Sequence, residues 1–192
     1  RIGPLFLNAG PGFGGSCLPK DLESLISVCK DYKTNSELFD SVKEINDQQI
    51  KIILRLLKQK LPKLSTKTIS IMGLGFKENS DDIRASKSID LISSLLSYKC
   101  KINVFDDLAI PHTKEIFKNK ISYFNSFEKC LTNSDCLILM HSLKLQKINK
   151  TFFQKMRNSL IIDTRRSLNK NISEVDYVQI GVNDNISHEN SS

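Results

Sequence analysis

No two cysteines in this 192-residue chain stand in a C-x-x-C arrangement, and their total of five is odd. Cys17, Cys29, Cys100, Cys130 and Cys136 therefore support neither a zinc-ligand spacing nor a disulfide framework. A reducing cytoplasm is the expected setting, and no metal is expected. Long apolar runs are also missing: residues 50–57 are interrupted by Lys51 and Arg55 and are too short to span a bilayer. The visible N-terminus carries no signal peptide. It opens on Arg1 rather than methionine, so the natural start is expected to lie upstream. There is no internal repeat and no basic block. The net charge of +7 comes from scattered lysines, which favours anionic ligands such as nucleotide phosphates. Without interleaved aromatic and basic residues, neither a nucleic-acid nor a membrane partner is expected. What is present, 40% hydrophobic and 26% charged residues, is ordinary for a globular protein with one good core.

Glycine is scarce, but four of the eight fall within Gly10-Pro11-Gly12-Phe13-Gly14-Gly15-Ser16-Cys17-Leu18-Pro19-Lys20-Asp21. Glycine permits positive φ and lets a backbone approach a ligand where a side chain would collide. Pro19 suits the first turn of a helix, where its missing N–H is not needed. That places Cys17 at or just before a helix N-terminus with Lys20 one turn away, and both features favour a thiolate. Asp21, four residues on, would share a helix face with Cys17 and could accept a proton or orient a water. From the spacing alone, a tight turn beside an inert buried cysteine fits equally well.

Apolar spacing predicts a helix over residues 21–29 and a long one over 37–60, with Ser36 as its N-cap and Pro62 beyond its end. The long helix spans roughly 36 Å. Its apolar stripe of Leu38, Val42, Ile45, Ile52, Ile53, Leu56 and Leu57 is interrupted by Asn46, Asp47, Gln48 and Gln49. The short helix cannot cover that stripe, so either the rest of the chain or a second copy must. Strands are predicted at residues 68–72, 102–105, 121–124, 136–140, 160–163 and 177–181. Helices are predicted at 86–98, 111–118 and 127–131. The alternation predicts an α/β fold, a mainly parallel sheet with helices on both faces. Residues 183–192 are polar, lack periodicity and are expected to be disordered.

A strand running into Gly73-Leu74-Gly75 and then a helix resembles a dinucleotide fingerprint, but Glu78 stands where the third glycine belongs. Asp106, the acidic residue of the next strand, comes beyond the usual offset. This is a poor NAD site by itself, although close backbone approach to a ligand is still expected. Lys77 and Arg84 are either ligand contacts or loop charges paired with Asp81 and Asp82. Arg165, in Asp163-Thr164-Arg165, projects from a strand's C-terminal end, where such sheets bind ligands. His141 has a similar position and is expected to be structural.

Residues 12–21, residues 73–86 (Gly-Leu-Gly-Phe-Lys-Glu-Asn-Ser-Asp-Asp-Ile-Arg-Ala-Ser) and Asp163-Thr164-Arg165 together resemble the UDP-glucose/GDP-mannose dehydrogenase family. The resemblance covers nearly the whole chain. It implies a helical dimerisation region at residues 1–64, a Rossmann-like three-layer nucleotide-sugar domain at 65–182, and a homodimer through the long helix. It further implies NAD-dependent oxidation of a nucleotide-sugar C6 alcohol to the acid, with UDP-glucose as the first candidate substrate. Carried across, Cys17 is the nucleophile and Asp21 a carboxylate of the hydrolytic chemistry. Arg1, Phe6, Asn8, Phe13, Gly14, Lys77 and Arg165 match substrate contacts; Arg1 would serve the neighbouring subunit, and Asn8 aligns where some members carry lysine. Lys20 and Arg84 match cofactor contacts. The family's N-terminal NAD-binding domain, with its oxyanion-stabilising lysine and asparagine, has no counterpart in this sequence, so the chain alone is expected to be inactive and to bind NAD weakly. A non-catalytic nucleotide-sugar-binding and dimerisation module, a UDP-N-acetylhexosamine or GDP-mannose dehydrogenase, and a thiol redox protein remain the alternatives.

Overall fold

The computed structural model describes residues 10–142, 150–168 and 175–181. Helix α1 (Leu18–Asp31) starts at Cys17, its N-cap residue, with Pro19 in the first turn. Helix α2 (Glu37–Lys60) follows a short turn. Ser36 occupies its N-cap, but the capping bond comes from the preceding residue: Asn35 Oδ1 accepts from the Glu37 amide at 2.7 Å. The Ser36 hydroxyl instead donates to Asp40 at 2.7 Å. The helix ends at Leu61, the residue before Pro62, where proline disfavours helical backbone.

The strands are β1 (Thr68–Met72), β2 (Lys101–Phe105), β3 (Ser122–Phe124), β4 (Cys136–Leu139), β5 (Leu160–Asp163) and β6 (Asp176–Gln179). They form one six-stranded sheet in the order β3-β2-β1-β4-β5-β6, and every pairing is parallel. Helices α3 (Lys87–Ser97), α4 (Ile110–Phe117) and α5 (Phe127–Leu131) make crossovers. Side-chain alternation sends Ile69, Ile71, Ile102, Val104, Ile138 and Ile162 to the face covered by α2, α3 and α4. Met72, Leu137, Leu139 and Ile161 point to the other face, against α5 and the 3-10 segment Lys150–Lys155. Because both faces are covered, β4 reads as an unbroken apolar run.

The two halves of α2 meet different surroundings. Ile50, Ile53 and Leu57 join the sheet's core together with Leu61 and Leu64, so the helix is rooted in the α/β unit. Toward its N-terminus Leu38 and Ile45 are 71% and 60% exposed, and Val42 is also exposed. On α1, Ile26 and Cys29 are buried while Leu25 and Val28, and Tyr32 just past its end, are open. No described helix is long and apolar enough to cross a membrane. Residues 183–192 lie outside the described residues.

Candidate active site at the meeting of two glycine loops

The strand order reverses direction between β1 and β4, which opens a crevice at their C-terminal ends, the usual ligand position in open α/β sheets. Two loops far apart in sequence close over it. The first, residues 10–16, lies on three surfaces of the α/β unit. A side chain on Gly10 would overlap the Arg165 guanidinium, and one on Gly14 would overlap the Ala85 carbonyl oxygen. Gly15 holds φ 87° with the Phe76 ring 2.7 Å from where a Cβ would stand. Its amide donates to the Arg84 carbonyl at 2.9 Å. From below, Asn46 of α2 accepts from the Phe13 amide at 2.7 Å and donates to the Phe13 carbonyl at 3.1 Å.

The second loop, residues 73–86, is held by bonds within itself and to the end of β2 and the start of α3. Gly73, Leu74 and Phe76 donate their amides to the Phe105 carbonyl, Asp106 Oδ2 and the Asp82 carbonyl. The Ser86 and Ser88 hydroxyls donate to the Leu74 and Gly73 carbonyls, both at 2.7 Å. These amides are not open to cradle a pyrophosphate, which gives a structural reason for the poor dinucleotide fingerprint. Asp106 is occupied in the same way. Its other oxygen accepts from the Leu108 and Ala109 amides, both at 2.8 Å. Ala85 holds φ 49°, uncommon for a residue with a side chain, where its carbonyl meets Gly14.

Arg165 leaves the end of β5 half-buried, its Nε donating to the Met140 carbonyl at 2.9 Å. Asp163 fixes the turn: its carboxylate accepts from the Arg165, Ser167 and Leu168 amides and from the Tyr177 hydroxyl. Burial, then the neighbouring Asp163 carboxylate, pushes the Tyr177 hydroxyl's pKa up. His141 is packed over Gly73, with Nε2 2.9 Å from the Gly75 carbonyl oxygen and Nδ1 4.0 Å from Asp106. These contacts tie the end of β4 to the second loop. Glu78 ties the second loop to β4's end, accepting from the Ser142 amide at 3.0 Å. Burial works against its charge, but the Ser142 bond and the charges of His141 and Arg165 hold its carboxyl below the usual range.

Cys17 is the exposed thiol among the five; Cys29, Cys100, Cys130 and Cys136 are buried. Ser16 Oγ stands 3.6 Å from its sulfur, and the Asp21 amide donates to the Cys17 carbonyl at 2.8 Å. Asp21 and Lys20 are exposed on the first turn, 3.7 Å apart. The Arg84 guanidinium belongs to the residue whose carbonyl accepts from the Gly15 amide, two positions before Cys17. It forks onto Asp82, with bonds of 2.6–3.0 Å, and this holds the Asp82 carboxyl down at about 2. The pairing of Arg84 with Asp82 is thus real, whereas Lys77 is exposed with its ammonium 5.4 Å from the Phe76 ring centre.

The contacts of Gly10 with Arg165, of Gly14 with Ala85 and of Gly15 with Phe76 and Arg84 bring the first loop, the second loop and the end of β5 together, while Cys17, Lys20 and Asp21 open α1 and Lys77 stands exposed on the second loop. Arg1, Phe6 and Asn8 lie outside the described residues. Neither Asn46 nor Glu78 was assigned a role from sequence, and the fan of bonds to Asp163 had no sequence signal. Asn46 did leave a trace, as the polar break in the α2 stripe.

The strand order and paired loops define a doubly wound, Rossmann-like α/β unit carrying a helical segment with a cysteine at its mouth. Residues 70–170 match the UDP-binding domain of the UDP-glucose/GDP-mannose dehydrogenase family, and residues 1–48 match its central domain. The chain belongs to this family. It is 34% identical over 176 residues to a UDP-glucose 6-dehydrogenase of Rickettsia bellii, covering 88% of this chain and 40% of that protein. With UDP-glucose 6-dehydrogenase YwqF of Bacillus subtilis the identity is 33%, covering 73% of this chain and 32% of that protein. The chain thus spans well under half the length of these relatives. Among solved structures, a UDP-glucose dehydrogenase from Pyrobaculum islandicum superposes with a TM-score of 0.80 at 24% identity, covering 93% of this chain and 40% of that one. That likeness supports the fold.

Proposed function

We propose that this chain is the substrate-binding and thiol-bearing part of an NAD-dependent nucleotide-sugar 6-dehydrogenase, with UDP-glucose as substrate. The observation that supports this reading is an exposed cysteine at a helix start, two residues beyond the Gly15 amide that bonds to the Arg84 carbonyl of the second loop. The relatives named UDP-glucose 6-dehydrogenases support the choice of sugar.

In this reading Arg165, Lys77, Phe13 and Gly14 bind and orient the sugar nucleotide, joined by Phe6, Asn8 and the neighbouring subunit's Arg1. Arg165 is suited to a phosphate by its planar fork, and Lys77 by its point charge. Lys20 and Arg84, exposed cations beside Cys17, fit the edge of a dinucleotide, whereas the committed amides of the second loop do not fit its pyrophosphate. Bound NAD+ would supply the oxidant for each of the two hydride losses from C6, with Lys20 and Arg84 contributing to its binding and the family's NAD-binding domain the rest. Cys17 sulfur adds to the aldehyde carbon as a thiohemiacetal and retains that reactive species. Loss of the second hydride and a proton leaves a thioester. Asp21 orients the water that attacks its carbonyl, releasing the acid and restoring the thiol. The open apolar positions on α1 and α2 seat a second copy, and a reducing cytoplasm suits the free thiol.

Cys17→Ser in a chain that includes the family's NAD-binding domain tests this. It should abolish acid formation while leaving UDP-glucose binding by calorimetry near normal. Undiminished acid production would refute the nucleophile. On the 192-residue chain, Lys77→Ala and Arg165→Ala should each weaken UDP-glucose binding at least tenfold, and NAD should bind only weakly.

A further inference from the structure

Asn46 is 7% exposed within a 24-residue helix whose other buried positions, Ile50, Ile53 and Leu57, are apolar. A buried carboxamide must find partners for both its oxygen and its nitrogen. Asn46 finds both on one residue, accepting from the Phe13 amide and donating to the Phe13 carbonyl, as a neighbouring strand would. The preceding residue is shaped for this contact. Gly12 holds φ 101°, and a Cβ there would stand 2.5 Å from Asn46 Oδ1 and 3.3 Å from Lys87 Cε. Lys87, with its side chain 12% exposed, reaches Asp47 at 3.8 Å and Asp90 at 3.6 Å, joining α2 to α3 beside the same contact. Two residues beyond Phe13, Gly15 is bonded to Arg84 on the opposite wall. The chain is therefore pinned on both sides just before it delivers Cys17.

We propose that Asn46 is a positioning residue for Cys17, acting through Phe13 to fix where the thiol stands over the crevice. The proposal rests on the reading of Cys17 as nucleophile. Bond formation to a sugar carbon tolerates little displacement: a shift of about 1 Å can cost about 100-fold in rate. No simple replacement keeps the fork. Aspartate retains the acceptor for the Phe13 amide but turns an anionic oxygen toward the Phe13 carbonyl. Alanine leaves both backbone groups of Phe13 without this partner.

The test uses the 192-residue chain and needs no ligand. Amide exchange is followed at Phe13, Gly15, Ile71 and Ile138, and the iodoacetamide alkylation rate of the Cys17 peptide is measured across pH. In Asn46→Ala, protection at Phe13 should fall at least tenfold and at Gly15 at least threefold. The Cys17 alkylation rate should change at least threefold with a displaced pH profile, while the sheet amides of Ile71 and Ile138 stay protected. Asn46→Asp should restore protection at Phe13, because its acceptor remains, and still displace the Cys17 profile. If the alanine variant also loses its sheet amides, the aspartate variant decides by that same pair of readouts. An unchanged Cys17 profile with Gly15 still protected would overturn the proposal and leave Asn46 a satisfied core amide. Because neither readout involves turnover, a failure here is distinguishable from failure of the Cys17→Ser test.

Discussion

The carbonyl oxygen of Ala85 occupies the space where a side chain on Gly14 would begin. Two helix-leading loops, one before α1 and one between β1 and α3, thus meet backbone to backbone, and neither can recede without breaking the Gly15 to Arg84 bond.

Gly14→Ala should therefore lift the first loop off the second. The expected cost is about 1–3 kcal/mol, as for other overpacked contacts. The measurement is urea unfolding, with amide exchange at Gly15 reporting where the damage falls. Unchanged stability and protection would show that the loops are not in backbone contact.

Native alkylation should modify one described cysteine, Cys17, and denaturant should release all five. Burial pushes the Cys130 thiol up to about 12 and Cys136 beyond it, so neither offers a thiolate at neutral pH. Mass spectrometry of the native adduct checks this; a second adduct at Cys130 or Cys136 would contradict the packing of β4 and α5.

His141 should make stability fall on the acid side. Burial holds its imidazole below the ordinary value of about 6.5; Arg165 adds to that, while the Gly75 carbonyl, Asp106 and Glu78 oppose it. A depressed folded pKa means the neutral ring is favoured by folding. Its contribution is complete above the unfolded pKa and is lost as pH falls through the folded one. Melting temperatures from pH 8 to pH 5 should decline in the parent and decline less in His141→Gln. Parallel slopes would exclude His141 as the titrating group.

The two ends of α2 should respond oppositely. Leu57→Ala, at a fully buried site, should cost about 2–5 kcal/mol in urea unfolding. Under the proposed pairing of two copies through α2, the parent should sediment as a dimer, and Leu38→Glu with Ile45→Glu should leave the melting temperature nearly unchanged yet shift sedimentation to the monomer. A double variant that still sediments as a dimer would place the contact elsewhere.

Much of this architecture was legible in order along the chain. The alternation of strands and helices was readable because apolar period and Gly/Pro punctuation are local properties. The span of α2 was readable because its stripe continues past the polar break and stops at Pro62. The capping bond at Asn35 was not, since Ser36 and Asn35 are both capping types and only backbone geometry selects one. Whether the α2 stripe meets its own domain or a second chain was undecidable from period alone. The structure divides it, burying Ile53 and Leu57 and leaving Leu38 and Ile45 open.

The sequence by itself determined the parallel α/β alternation, the crowding of glycines before Cys17 and the missing third glycine of the fingerprint after β1. Each of these depends on residues close together in the chain. Tertiary structure alone decided that Asn46 grips Phe13, that Gly14 fits under Ala85 and that Arg165 passes beneath Gly10. Those contacts join segments brought together by the sheet's crossover order, and hydrogen bonding between distant backbones leaves no periodic mark in a sequence.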